Sequence, residues 1–210
     1  MKSILFLFAL NLPLSTAISF TLPGIAETSS WELNRTNYLS VTSNTFRTAT
    51  IPWVASAIPT SGTSSALFNK VSGGGYMATT LMYTAPVGGS FRLYDESPLA
   101  EMETIVMQGY ISDALDGMPV FNFNGGSQSI PASFSTIVSG ATYPARAWQW
   151  DLSGVVGSID RYEILFSGHF AATSLRVDSG NTFFQVIPEP SSALLACSAL
   201  GFTLIRRRRV

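Results

Sequence analysis

Thiol chemistry is almost absent from this 210-residue chain. Its only cysteine is Cys197, so a disulfide scaffold and a cysteine metal site are excluded for everything ahead of that residue. Histidine is equally scarce. With His169 as the sole example, a multi-histidine metal site is impossible and a Ser-His-Asp triad could be built only around that one ring. No Gly-x-Ser-x-Gly elbow is present to supply a nucleophile. Charge is low and unevenly spread. Between Ile18 and Glu189 seven cations (Arg35, Arg47, Lys70, Arg92, Arg146, Arg161, Arg176) face 13 carboxylates, a net of about six negative charges. That balance argues against nucleic acid or an anionic membrane surface as a partner.

Long apolar runs occur only near the two ends. Met1-Lys2 is a short basic start, residues 4–14 are apolar apart from Asn11 and Pro13, and Ser15-Thr16-Ala17 puts small residues where a signal peptidase reads. The pattern predicts a signal peptide over residues 1–17, cleaved after Ala17. At the other end, residues 191–205 carry no charge. As a helix they would rise roughly 22 Å, short of the ~30 Å hydrocarbon core of a bilayer. Such a segment engages a membrane but spans it poorly. Arg206, Arg207, Arg208 and Arg209 follow at once, and a basic block beside an apolar segment stays cytoplasmic, which leaves everything before Pro188 on the far side. Pro188 and Pro190 cannot continue a helix and push Ile187 and Glu189 toward extended backbone. An extended stretch just outside a membrane suits a processing enzyme. The plainer alternative is a permanent C-terminal anchor.

The order Pro188-Glu189-Pro190, apolar segment 191–205, arginine cluster Arg206 to Arg209 resembles the PEP-CTERM sorting signal of Gram-negative bacteria. The resemblance implies a membrane-embedded exosortase that recognises the tripeptide and removes the tail 188–210. It covers about a tenth of the chain and carries no fold or activity for the remainder. Residues 66–76 and 150–154 are loosely similar to segments of uncharacterised PEP-CTERM surface proteins, which name no activity either.

The remaining stretch, residues 18–187, has the length of one domain with a real core. Its periodicity is that of strands. Trp148, Trp150 and Leu152 alternate with Gln149 and Asp151; Tyr162, Ile164 and Phe166 with Arg161, Glu163 and Ser167; Leu175 and Val177 with Ser174, Arg176 and Asp178; Phe121 and Phe123 with Asn122 and Asn124. Each reads as a half-buried strand of an antiparallel sheet, with the polar set toward solvent. Further strands are expected at 38–42, 46–54, 77–84, 90–94, 103–111, 133–138 and 182–187. Breaks rich in Gly and Ser fall at 60–65, 72–75, 88–89, 125–126 and 154–158. Ten or eleven short strands without a convincing amphipathic helix predict an all-β, antiparallel two-sheet sandwich. The immunoglobulin Cys and Trp signature is missing, which favours a jelly-roll-like form. No fixed-period repeat supports a propeller or a β-helix.

Candidate chemistry is thin. His169 follows an alternating strand and reads as a loop residue. Glu101 and Glu103 would face one side of any strand they shared, roughly 6–7 Å apart, within reach of a glycosidic bond, with Asp95 and Glu96 just upstream. Residues 95–101 nevertheless read as an exposed turn. Asp113-Ala114-Leu115-Asp116-Gly117 looks like a calcium loop but lacks the ligand series of an EF-hand. Structural calcium through loop oxygens stays open; no other cofactor is expected. Trp31, Trp53, Trp148 and Trp150 are either sandwich core or a sugar-stacking platform. Asn34-Arg35-Thr36 fits a glycosylation sequon that has no use in a bacterial host.

Two functions follow as expectations. The first is an exported, non-catalytic surface or extracellular-matrix protein, held transiently at the inner membrane by its tail and associated with exopolysaccharide. The alternative is an extracellular carbohydrate-binding (lectin-like) or carbohydrate-hydrolysing domain. Signal peptidase and exosortase are its implied partners during export.

Overall fold

A computed structural model describes residues 20–21, 24–38, 53, 55–84, 87–112, 115–139, 143–185 and 187–188. Ala17, Glu189, Pro190, the segment 191–205 and the cluster Arg206 to Arg209 lie outside them. So do Asp113, Ala114 and most of the strands expected at 38–42 and 46–54.

Phe20–Pro188 forms one compact unit, and among its described residues the regular elements are β-strands apart from a single helical turn. In chain order the elements are β1 (Phe20–Thr21), β2 (Ile25–Glu32), α1 (Arg35–Tyr38), β3 (Ser61–Gly62), β4 (Leu67–Gly73), β5 (Tyr76–Met77), β6 (Met82–Tyr83) and β7 (Gly89–Asp95). They continue as β8 (Thr104–Ile111), β9 (Val120–Phe123), β10 (Ile130–Pro131), β11 (Phe134–Val138), β12 (Ala145–Asp151), β13 (Tyr162–Gly168), β14 (Ala171–Gly180) and β15 (Ile187–Pro188). All pairings are antiparallel. One sheet runs β10-β9-β13-β7-β4; the larger runs β11-β12-β8-β14-β2-β3, with the small hairpin β5-β6 attached to β14. β7, β8 and β9 alternate between the two sheets, as do β12, β13 and β14, whereas β11 and β12 are consecutive neighbours within the larger sheet.

The sheets meet through aromatic side chains. Trp31 of β2 reaches Phe68 of β4 edge-on at 6.4 Å, and Trp150 of β12 lies 6.1 Å from Phe121 of β9. Phe68, Phe91 and Phe166 stack beside one another on the smaller sheet at 5.6–6.2 Å. Such pairs add about 0.5–1.5 kcal/mol each beyond the area they bury. All four tryptophans are buried, and three of the indole N–H groups donate to backbone oxygens of Ala57, Gly75 and Ile130. Of the two readings of the tryptophans the sandwich core holds and the sugar-platform alternative does not: their faces are packed inside the sandwich.

Several local expectations are corrected as well. Tyr38 does not open a strand; it closes α1, where Asn34 accepts from the Asn37 N–H at 3.0 Å and caps the turn. Residues 77–84 form two short strands joined by a tight turn, closed by Ala78 N–H on the Leu81 carbonyl. Residues 182–185 are not strand; only Ile187–Pro188 pairs. Two strands carry no legible alternation. In β2 the core-facing set is Glu27, Ser29 and Trp31, and in β4 Lys70 points inward with Phe68 while Leu67 points out. Burial holds the Lys70 ammonium below its ordinary pKa.

The larger sheet was expected to show its polar set to solvent, and here the sequence pattern misleads. Gln149, Gln108, Asp178 and Thr104 stand on the face turned away from the core, yet all are buried. A third layer covers them. The β1–β15 ladder pairs Phe20 with Pro188 and Thr21 with Ile187, and the Gln149 amide donates to the Phe184 carbonyl at 2.6 Å.

Candidate functional site

The outer face of the smaller sheet is half-buried, and among the described residues no strand ladder covers it as β1–β15 covers the larger sheet. β7 and β13 alternate strictly, burying Phe91, Leu93, Ile164 and Phe166 and turning Ser90, Arg92, Tyr94, Glu163, Leu165 and Ser167 outward. Register brings these outward residues into rows: Leu67, Tyr94, Glu163 and Asn122 in one, and Asn69, Arg92, Leu165 and Val120 in the next. Period-two alternation on neighbouring strands thus builds a continuous surface from residues far apart in sequence.

Two depressions mark this face. The first, about 200 Å³, is polar and lined by Arg92, Tyr94, Asn122, Arg161 and Glu163, with Glu96 at its rim. The Arg92 guanidinium lies 4.4 Å from the centre of the Tyr94 ring, and the Tyr94 hydroxyl shares a 2.9 Å hydrogen bond with Ser56. Asn122 is held on both sides: its amide nitrogen donates to Glu163 at 3.3 Å, and its oxygen accepts from the Ser129 N–H at 2.7 Å. Arg161 and Glu96 approach to 4.0 Å, both largely exposed, so that pair adds little rigidity. The second depression, about 430 Å³, mixes Val71, Met118, Val120 and Leu165 with Ser90, Ser167 and Asp116. An apolar floor beside hydroxyl, amide, carboxylate and guanidinium groups is the chemistry that receives a polyhydroxylated ring, whose C–H face packs while its hydroxyls both donate and accept.

The carboxylates singled out from sequence are dispersed. Glu101 sits in a turn with φ at 56° and Glu103 precedes β8, so the two share no strand and form no pair of the expected kind. Asp95 is not in an exposed turn. It ends β7 inside the sandwich, accepting from Ser65 Oγ and from the Ser97 N–H. Opposite it in register is Tyr162, whose phenol burial pushes well above its ordinary range, with Asp95 and Glu27 adding to the shift. His169 is exposed between β13 and β14, its ring 6.2 Å from that of Tyr83. Among the described residues no group of three His, Cys, Asp or Glu comes together to hold a metal ion, and no helix is long and apolar enough to cross a membrane. Of the sorting residues only Pro188 is described, paired with Phe20 at the edge of the folded unit.

Sequence reasoning named Glu96 but passed over Arg92, Tyr94 and Asn122 as site residues. The available signal was the polar half of alternating strands, Arg92-x-Tyr94 and Asn122, which marks an outward face without saying that it is left uncovered. No family model, no curated protein and no solved structure matches this chain.

Proposed function

We propose that this chain is an exported, non-catalytic surface or extracellular-matrix protein of a Gram-negative bacterium, built on a jelly-roll-like sandwich and associated with exopolysaccharide. The observation that carries the reading is the ordered tail: Pro188-Glu189-Pro190, an apolar segment too short to span comfortably, and four arginines. Exosortase acts at that tripeptide and signal peptidase at Ala17. The jelly-roll-like description draws support from the strand runs β7–β9 and β12–β14, each of which alternates between the sheets. The polar depression around Arg92 and Glu163 supplies the polysaccharide contact, because its opposed charges nearly cancel and its donors and acceptors suit a hydroxyl-rich chain better than a strongly charged one. The non-catalytic reading rests on placement: His169 stands apart on an exposed connection, and Glu101 and Glu103 are separated.

Co-sedimentation with exopolysaccharide from the parent organism tests the contact. Arg92→Ala combined with Glu163→Ala is expected to weaken retention about tenfold or more, the loss of one or two charge-assisted hydrogen bonds. Retention equal to that of the unaltered protein would remove the depression from the proposal.

A further inference from the structure

The covered face of the larger sheet contains a polar network whose partners are the two ends of the folded unit. Gln108 is its centre. The Gln108 Oε1 accepts from the Phe20 N–H at 3.0 Å, and Nε2 donates to the Phe20 carbonyl at 3.3 Å, so one side chain satisfies both backbone groups of a single residue. The same Nε2 donates to Asp178 Oδ2 at 2.6 Å, and Asp178 Oδ1 accepts from Arg176 Nε at 2.8 Å. Phe20, Gln108 and Asp178 are each at most 5% exposed. Buried amide and carboxylate groups are costly without partners. This one is closed by the backbone of Phe20, and an apolar residue at 108 would leave that backbone orphaned.

The position of Phe20 gives the network its meaning. It pairs through β1 with β15, which contains Pro188, the residue directly before Glu189. A two-residue ladder has little stability of its own; what fixes it is the attachment of β1 to Gln108. A second tie, Gln149 Nε2 to the Phe184 carbonyl, holds the approach to β15 on the same face. Backbone engaged in a ladder is not free to enter the cleft of an enzyme that binds its substrate extended.

We infer that Gln108, braced by Asp178, is a clasp: it seats the N-terminal strand on the outer face of the larger sheet, that strand holds Ile187–Pro188, and Pro188, the first residue of the sorting tripeptide, leaves its ladder for processing only when the clasp opens. The consequence for processing rests on the sorting reading above; the clasp itself does not. A chain not yet folded presents its tail without this restraint. Folding of the sandwich therefore competes with tail removal.

Hydrogen exchange with peptide-level mass spectrometry, on the full chain in detergent, tests the clasp. In the unaltered protein the amides of residues 20–21 and 183–187 are expected to open together. Gln108→Leu is expected to speed exchange in both segments about tenfold or more, while β7 and β13 keep their protection. Independent opening of the two segments in the unaltered chain overturns the clasp even where Gln108→Leu fails to fold. So does unchanged exchange in a folded variant. The second arm measures the fraction of tail-processed chain in the parent organism, expected to accumulate faster with Gln108→Leu. An opened clasp with an unchanged processing rate overturns the link to processing. Absence of processing in both proteins removes the sorting reading and leaves the exchange result to decide the clasp.

Discussion

Trp150→Ala is expected to lower the free energy of unfolding by about 3–5 kcal/mol, a large part of the margin of a domain this size. Trp150 is fully buried on β12, packs against Phe121 of the facing sheet, and donates its indole N–H to the Ile130 carbonyl at 3.0 Å. Truncation removes the largest bridge between sheets at that end and orphans an acceptor. Trp150→Phe separates the two effects, since it keeps most of the volume and loses the donor; it should cost clearly less than the alanine change. Urea denaturation of the two variants checks the ranking. A loss below about 1 kcal/mol for the alanine variant would mean that the sheets are not joined there.

The second large effect is expected at Gly89. A Cβ on that residue would stand 2.0 Å from the Gly74 carbonyl oxygen and within 3 Å of the Phe91 ring. The oxygen cannot simply withdraw, because the Gly74 N–H is itself bonded to the Gly88 carbonyl. Glycine is required here for close approach of two backbones rather than for an unusual φ. Gly89→Ala should cost more than about 3 kcal/mol or prevent folding, as overpacking against backbone does. Gly154→Ala is the matched control: nothing lies within 4 Å of the added carbon, so its melting temperature should be close to that of the parent. Equal melting of the two variants would refute the assigned packing of residues 73–75 against 88–89.

These two sites also mark what the sequence makes legible. Trp148, Trp150 and Leu152 alternate with polar neighbours, and the strand with its core face follows directly from period two. The glycines at 72–75 and 88–89 are legible as breaks, but that the two breaks touch is set by the β4–β7 pairing and appears in no local window. β2 and β4 escape notice because Glu27, Ser29 and Lys70 occupy core-facing positions where the pattern calls for apolar residues. The environment that tolerates them comes from other strands, as when Ser29 pairs with Ser64 and Asp95 with Ser65.

The candidate site shows the same division. Which side chains of β7 and β13 turn outward can be read from alternation. Which of the two outward faces is left open cannot, because the cover on the larger sheet comes from Phe20–Thr21 and the segment ending at Pro188, more than 160 residues apart in sequence. Asp178 and Gln149 therefore look like solvated strand residues and are buried. Burial, the dominant influence, raises the Asp178 carboxyl above its ordinary pKa against the opposing pull of Arg176 and Gln108. The four tryptophans were open to two readings in sequence; packing of Trp31, Trp53 and Trp150 against Phe68 and Phe121, with the burial of Trp148, decides for the core.

The central claim is that the working protein is the folded unit with both ends removed. Intact-mass measurement of the chain recovered from the surface and medium of the parent organism tests it most directly. The account predicts a polypeptide that begins near Ile18 and ends near Pro188, lacking the apolar segment and the arginines. Recovery of chains that still end at Val210 would contradict it.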